Sequence, residues 1–227
     1  MKRVDIQSIE LANLGFAYES ESVLENLNFK PQPGDIYFLQ GPRGSGKRTL
    51  LKLLLGIHPP TQGEYRINGE LMNHLSHDQF DRYRLNIGYA FDVGGLINNH
   101  TIYENFKILL DYHDFKDAEH FGYIVSLLEK FKIDHLKHLR PSFVSNGVRK
   151  AAAILRALAL KPQVLILNNP TQGLSPEHVP MLIQLIEEYR EKHQLKFVII
   201  ASDDWRLCNQ LNGKIHLLKA NATEMSA

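Results

Sequence analysis

The sequence predicts an α/β fold: a mostly parallel sheet covered by helices, with an antiparallel β subdomain and an α-helical subdomain. Two observations carry this prediction. Short apolar runs alternate with segments of helical apolar spacing, which is typical of parallel strands joined by helices. One apolar run, at 36–39, leads into a glycine-rich loop and a leucine-rich helix, the arrangement that binds phosphate groups.

Length and composition limit the classes of protein to consider. The 227 residues, 44% of them hydrophobic, are enough to bury one substantial core. The formal net charge of +1 gives no general attraction to polyanions, and the lone cysteine, Cys208, excludes an intramolecular disulfide. No run approaches the roughly 20 apolar residues that span a bilayer, and the N-terminus lacks the apolar core of a signal peptide. We therefore expect a soluble, cytoplasmic chain, for which any membrane role has to come through a partner.

The residues before the glycine-rich loop predict antiparallel strands. Short apolar and polar runs alternate over 4–30, on either side of a turn-like segment at 19–22. Tyr18 ends the first of these strands, where an aromatic ring is placed to stack on a base or is simply exposed. A turn at Pro33 and Gly34 then leads to the strand before the loop.

The glycine-rich loop is the strongest motif in the chain. Its glycines let backbone N–H groups turn towards a polyphosphate, the following helix adds its dipole, and Lys47 neutralises the outer phosphates. The last position of the pattern, a Ser or Thr that holds Mg²⁺, is Arg48, and Thr49 is rotated by about 100° on the helix. The predicted nucleotide-binding residues are Tyr18, Gly41, Pro42, Arg43, Gly44, Ser45, Gly46, Lys47, Arg48 and Thr49.

The middle of the chain predicts a helical insertion between two halves of the sheet. A hairpin over 63–69, a polar helix over 79–84 and a strand over 87–91 come first. An α-helical subdomain at about 92–160 follows. Its three helical segments are 101–112, 117–131 and 145–160, the last with Ser145 as its N-cap.

The C-terminal part returns to strands. They are predicted at 164–167, 197–201 and 214–218. A helix is predicted to start near Ser175 and Pro176, with Ser175 as N-cap and with Pro180 bending or shifting that start. Residues 1–220 are expected to form a single domain and 221–227 a disordered tail.

The order of these elements resembles the nucleotide-binding subunit of ABC transporters over nearly the whole chain. Residues 161–174 read KPQVLILNNPTQGL, close to the family pattern KPxxLφLDEPTxGL. Residues 87–106 are most similar to the lipid-trafficking branch whose membrane partners work with Mce proteins. The resemblance implies a P-loop NTPase of ABC type, with ATP or ADP as candidate ligand and Mg²⁺ in doubt. It also implies a homodimer or a heterodimer with an ABC paralogue, docked through 92–106 to an integral-membrane permease at the inner face of a membrane.

The same resemblance marks where the chemistry departs from the family. Asn168 stands at the position of the metal-associated aspartate and Asn169 at that of the general-base glutamate. Asp92 replaces the glutamine associated with Mg²⁺, and Asp203 replaces the switch histidine. An amide can hydrogen-bond to a water molecule but cannot accept its proton. We therefore predict a hydrolysis-deficient pseudo-ATPase without a competent catalytic residue and without a metal site.

The signature-like turn is altered as well. The family's LSGGQ corresponds to 144–148, where Ser145 and Gly147 match and Asn146 does not. Ser175 stands where the family has an aspartate that contacts the dimer partner. Because both halves of the site are altered in one chain, an active homodimer is not expected.

Two interpretations of Arg48 remain open. In the first, Arg48 replaces Mg²⁺ and the site binds nucleotide without metal. In the second, Arg48 pairs with Asp92 or Asp203 and closes an empty site, since arginine and carboxylate groups pair well. The second explains why acids and an arginine appear together.

Three functions remain open at this level. The chain is a non-hydrolysing subunit of an ABC complex, a weakly active ATPase, or a nucleotide-free scaffold that pairs with an active paralogue. Histidine pairs such as His135 and His138 lack the further ligands that a metal site needs. The basic residues at 137–140, with Arg149 and Lys150, predict either a solvated face or a face towards an anionic membrane. They lack the interleaved aromatic residues of a nucleic-acid surface.

Overall fold

The predicted alternation of strands and helices is present along the chain. The computed structural model describes residues 3–19, 21–92, 94–115, 118–192 and 194–219. The strands are β1 (Ile9–Tyr18), β2 (Glu21–Phe29), β3 (Ile36–Gln40), β4 (Gln62–Ile67), β5 (Glu70–Leu71), β6 (Ile87–Ala90), β7 (Val164–Asn168), β8 (Phe197–Ala201) and β9 (Lys214–Leu217). The helices are α1 (Lys47–Leu54), α2 (His77–Arg84), α3 (Ile102–Tyr112), α4 (Ala118–Lys130), α5 (Asn146–Leu158), α6 (His178–Glu191) and α7 (Trp205–Gln210).

A parallel sheet forms the centre of the fold. Within the described residues its strand order is β6-β7-β8-β3-β9, and every pairing is parallel. The carboxyl ends of β3, β6, β7 and β8 therefore meet at one edge, which is where ligands bind in open α/β sheets. The glycine-rich loop follows β3 at this edge.

An antiparallel sheet with the strand order β2-β1-β4-β5 packs, together with α1, on one face of the parallel sheet. β4 and β5 form the predicted hairpin, whose two turn residues, Asn68 and Gly69, both have positive φ. A two-residue turn of this kind matches the twist of antiparallel strands, and Asn-Gly is its favoured sequence. The α/β fold with both subdomain types is thus confirmed.

The core has two halves, one on each face of the parallel sheet. Leu165 and Leu167 of β7 pack with the buried residues of α4, α5 and α6. Val164 and Ile166, which alternate with them, pack with α1 and the antiparallel sheet. Because both faces are covered, β7 and β8 are buried at every position, as their continuous apolar sequences predict.

The helices α3, α4 and α5 lie between β6 and β7 in the chain, as predicted for the helical insertion. The N-cap of α5 is Ser145, whose side chain accepts a hydrogen bond from the backbone N–H of Val148. Gly88 of β6 lies so close to α5 that a Cβ atom there would be 2.0 Å from the carbonyl oxygen of Ala157. The boundary of the subdomain at 92–160 and the single domain at 1–220 stay predictions.

The C-terminal elements differ from the prediction in two places. The predicted N-cap at Ser175 is wrong, because α6 begins at His178 and Pro180 occupies its first turn. Proline is tolerated there since the first N–H groups of a helix have no partner within the helix. α7 was not predicted, because a helix of 6 residues carries too little periodicity to be recognised. The predicted tail at 221–227 lies outside the described residues.

Candidate phosphate-binding site

The loop between β3 and α1 has the backbone that its glycines require. Gly44 and Gly46 have φ values of +80° and +81°, in the region that glycine adopts without strain. A Cβ atom on Gly46 would lie 2.5 Å from Cδ2 of Leu24, so a side chain has no room at this position. The loop therefore passes tightly over the antiparallel sheet and turns into the N-terminus of α1 at Lys47.

A cavity of about 1030 Å³ opens at the carboxyl edge of the parallel sheet. The loop residues 42–49 line one side of it. The other lining residues are Val23, Asp92, Asn168, Asn169, Thr171, Gln172, Ser202, Asp203 and Asp204. All five positions that the sequence marked as degenerate, which are Arg48, Asp92, Asn168, Asn169 and Asp203, thus face the same space.

The side chain of Lys47 contacts backbone carbonyl groups of the loop and one acidic side chain. Its Nζ atom donates to the carbonyl oxygens of Gly41 and Pro42, the latter at 3.1 Å. It lies 3.5 Å from Oδ2 of Asp203, whose side chain is 65% exposed. Solvent screens an exposed pair of this kind, so Asp203 weakens the attraction of Lys47 for an anion without blocking it.

Arg48 pairs with a different acid. Nη2 of Arg48 lies 3.6 Å from Oδ2 of Asp92, and the same oxygen accepts a hydrogen bond of 3.1 Å from Nδ2 of Asn169. Asp92 is 14% exposed, whereas Arg48 is 70% exposed. Of the two acids that the sequence offered to Arg48, the structure places Asp92 beside it and Asp203 beside Lys47.

The two asparagines at the end of β7, Asn168 in the strand and Asn169 directly after it, offer hydrogen bonds but no base. Asn168 is buried, and Asn169 has a φ of +44° with its backbone N–H bonded to the carbonyl oxygen of Ala201. Both side chains are amides, which do not accept a proton at neutral pH. This end of the cavity can therefore orient a polar ligand but cannot activate a nucleophile.

The carboxylate of Asp204 is occupied by structural hydrogen bonds. Its Oδ1 atom accepts from the backbone N–H groups of Arg206 and Leu207, which caps α7. Its Oδ2 atom accepts from Oγ1 of Thr171 at 2.8 Å. The sequence alone did not point to Thr171, which joins the segment after β7 to the segment after β8.

Lys150 was wrongly placed on a solvated face by the sequence analysis. It is 7% exposed, and its Nζ atom donates to the carbonyl oxygens of Phe91, Asp92 and Asn168. Burial lowers the pKa of the Lys150 ammonium, and the carboxylate of Asp92 opposes this effect. A helical count places Lys150 on the apolar side of α5, one turn before Ile154, and this was the available signal.

Comparisons with known proteins identify the family of this chain. A model of the ABC transporter family matches residues 24–172, which include the loop, β6, α5 and β7. The chain belongs to the ABC transporter family. The resemblance predicted from the sequence is therefore confirmed.

Relatives and solved structures of the family match most of the chain. It is 30% identical over 202 residues to the lipoprotein-releasing system ATP-binding protein LolD of Buchnera aphidicola, covering 86% of this chain and 88% of LolD. It is 30% identical over 196 residues to the intermembrane phospholipid transport system ATP-binding protein MlaF of Haemophilus influenzae, covering 86% and 74%. The dimeric bacterial ABC transporter cassette MJ0796 superposes with a TM-score of 0.83 at 26% identity, covering 93% and 94%. A second dimeric structure of MJ0796, with a TM-score of 0.82 at 25% identity, is bound to ADP and Pi.

The phosphate groups of a nucleotide fit the ABC loop, but the Mg²⁺ ion that the family implies does not fit the residues present. Arg48 stands at the position where the family has a hydroxyl ligand for Mg²⁺. Asn168 stands where the family has a carboxylate. Asp92 and Asp203 lie beside Arg48 and Lys47. Among the described residues, no group of three or more His, Cys, Asp or Glu side chains could hold a metal ion. The described residues therefore do not offer Mg²⁺ the ligand set that the family uses.

Two predicted regions of the ABC site lie apart from the cavity. Tyr18 is not among the lining residues, and its ring packs edge-on against Phe16 and His58 at centroid distances of 4.8 and 5.8 Å. The signature-like turn also lies elsewhere. Gly147 packs so closely on Ser175 that a Cβ atom would be 2.0 Å from its Oγ, and Asn146 is bonded to the guanidinium of Arg149.

Proposed function

We propose that the chain is a hydrolysis-deficient ABC subunit of a membrane transport complex. The observation that carries this proposal is the pairing of both phosphate-loop cations with acids, Lys47 with Asp203 and Arg48 with Asp92. In a site built to hydrolyse nucleotide, the loop lysine and a metal neutralise the phosphates while a carboxylate activates water. Here the acids neutralise the cations instead, and amides occupy the place of the base.

The site is expected to bind ATP or ADP weakly and independently of Mg²⁺. Calorimetry in EDTA and in excess Mg²⁺ tests this, and the two affinities should agree within about twofold because the protein offers the metal no ligand set. Lys47→Ala should abolish the binding signal. Lys30→Ala is the matched control, because Lys30 forms an exposed pair with Glu10 and does not line the cavity.

Each calorimetric outcome separates two versions of the function. Binding in EDTA supports a nucleotide-binding pseudo-ATPase with Arg48 in the role of the metal. No binding in either buffer supports the nucleotide-free scaffold, in which the ion pairs close the site. Tightening by Mg²⁺ of about tenfold or more, equal to about 1.4 kcal/mol, would contradict both.

The surface beside β6 supports docking to a permease. A cleft of about 280 Å³, lined by Leu55, Ile57, Tyr89 and Leu109 among others, separates the helical insertion from α1. Ile57 lines this cleft and is exposed, and Ile108, which is also exposed, precedes the cleft residue Leu109 on α3. Exposed apolar side chains that group together are typical of a protein-protein interface. Within the described residues no helix is long and apolar enough to cross a membrane. We propose that the permease holds the chain at the cytoplasmic face.

We expect Ile57→Glu with Ile108→Glu to release the chain from membranes. The two side chains are 43% and 36% exposed, so the charges disturb the patch and leave the core packing intact. Fractionation of cells that express the tagged chain measures the membrane-bound share, which should fall by about tenfold or more. Ile215→Glu, at the opposite edge of the sheet, is the control and should sediment as the parent does. Unchanged sedimentation of the double variant would place the docking surface elsewhere.

The transported cargo is inferred to be a lipid or a lipid-linked protein. The relatives LolD and MlaF are named for lipoprotein release and phospholipid transport. Residues 87–106, which include β6 and the following loop, are the part that resembles the lipid-trafficking branch. The partner subunit is either a second copy or an ABC paralogue. The altered turn at 145–147 favours a paralogue, since a homodimer would have no unaltered site.

A further inference from the structure

Lys150 lies on the buried side of α5 and points its ammonium group at the ends of two strands. Nζ donates to the carbonyl oxygens of Phe91 at 3.0 Å and Asp92 at 2.8 Å, which follow β6. It also donates to the carbonyl oxygen of Asn168 at 3.2 Å, the last residue of β7. An ammonium has three N–H donors, and all of them are used on backbone oxygens.

A fourth oxygen completes the surroundings of this ammonium. Oδ1 of Asp92 lies 4.0 Å from Nζ of Lys150, is buried, and accepts no hydrogen bond from the part of the chain that the structure describes. The arrangement therefore consists of three carbonyl oxygens and one carboxylate oxygen around a single positive centre. Backbone carbonyls and carboxylates are the ligands that hard cations prefer in proteins.

We propose that Lys150 is the resident cation of this oxygen cage and the positioning residue for Asp92. Its charge compensates the buried carboxylate, and its hydrogen bonds tie the end of β6 to the end of β7. Asp92 is thereby fixed where Arg48 and Asn169 meet it. The inference requires neither nucleotide binding nor hydrolysis, so it stands or fails separately from the proposed function.

The free energy of burial favours a cation at the position of the Lys150 ammonium over an uncharged group that only fills the same space. A buried charge is stable when it is paired and fully hydrogen-bonded, and removing one partner leaves the other groups unsatisfied. Lys150→Ala deletes the charge and leaves a space with the length of a propyl chain and an amine. Lys150→Met fills most of that space without a charge. The two variants therefore separate the need for a cation from the need for volume.

Chemical rescue of Lys150→Ala tests the proposal. We expect both Lys150→Ala and Lys150→Met to lower the thermal unfolding midpoint by about 6–20 °C, the range for an uncompensated buried charge in a chain of this size. Propylammonium at tens of millimolar should raise the midpoint of Lys150→Ala alone. Calorimetry should find one propylammonium bound per Lys150→Ala chain and none on the parent. Neutral propanol should not replace it.

One control variant and one alternative measurement keep the test decisive. Lys130→Ala removes a lysine from a surface pair with Glu188, and propylammonium should have no effect on it. Should Lys150→Ala fail to fold alone, its refolding yield is measured with and without propylammonium, and dependence on the amine supports the proposal. A Lys150→Met chain as stable as the parent, or a Lys150→Ala chain that no amine rescues, would overturn it.

Discussion

The chain is expected to turn over no ATP in the presence of Mg²⁺, and a triple reversion should restore hydrolysis. The reversion is Asn168→Asp, Asn169→Glu and Arg48→Ser, which returns a carboxylate for the metal, a general base and a hydroxyl ligand. Loss of a base alone slows such reactions by about 10²–10⁴, and loss of the metal's ligands removes further stabilisation of the transferred group. Because these losses are not additive, we expect the rate of phosphate release by the reverted chain to exceed the background of the parent by about 10²–10⁴.

The backbone conformation at Asn169 limits how much ATP hydrolysis the triple reversion can restore. Its φ of +44° lies in the left-handed region, which asparagine tolerates and glutamate enters at a cost of about 1–2 kcal/mol. The backbone bond from Asn169 to Ala201 holds this conformation. Partial recovery of ATPase activity is therefore the expected result.

Steady-state phosphate release measures the outcome, with Lys47→Ala in both backgrounds as the control. The control should abolish any turnover, because Lys47 belongs to the phosphate loop itself. Turnover by the parent that Lys47→Ala abolishes would contradict the pseudo-ATPase. It would also direct attention to Asp92 and Asp203, the remaining carboxylates near the two loop cations.

Most of the fold follows from local sequence signals. The buried strands could be recognised as uninterrupted apolar runs, and the N-cap of α5 as a serine before a helical pattern. Sequence order could not give the strand order β6-β7-β8-β3-β9, because it depends on which helices cross which face. The start of α6 was misplaced because Ser175 packs against Gly147 instead of capping a helix.

The sequence predicted which residues belong to the site better than it predicted which of these residues pair with each other. The loop motif and the family pattern identified the positions that face the cavity, including Arg48 and Asp92. Which acid pairs with which cation depends on how the segments after β6 and β8 approach the loop in space. Lys150 was missed because a lysine is normally exposed, and its burial depends on backbone carbonyls of two distant strands.

Removing the two acids is expected to increase nucleotide affinity. Asp203→Asn frees Lys47, and Asp92→Asn frees Arg48, from carboxylates that compete with phosphate oxygens. Each screened pair is worth about 0.2–1 kcal/mol, so the double variant should bind ADP about 2- to 30-fold more tightly in EDTA. Calorimetry against the parent measures this, with Asp5→Asn as the control, since Asp5 pairs with Lys196 away from the cavity.

The two single variants should differ, because the two acids have different surroundings. Asp203 is exposed, so Asp203→Asn should raise affinity and leave the unfolding midpoint unchanged. Oδ1 of Asp92 is buried beside Lys150, so Asp92→Asn should raise affinity and also lower stability by leaving that ammonium without its carboxylate. Weaker nucleotide binding in Asp203→Asn would mean that this carboxylate supports the ligand. The ion pairs would then belong to the binding site and would not close it.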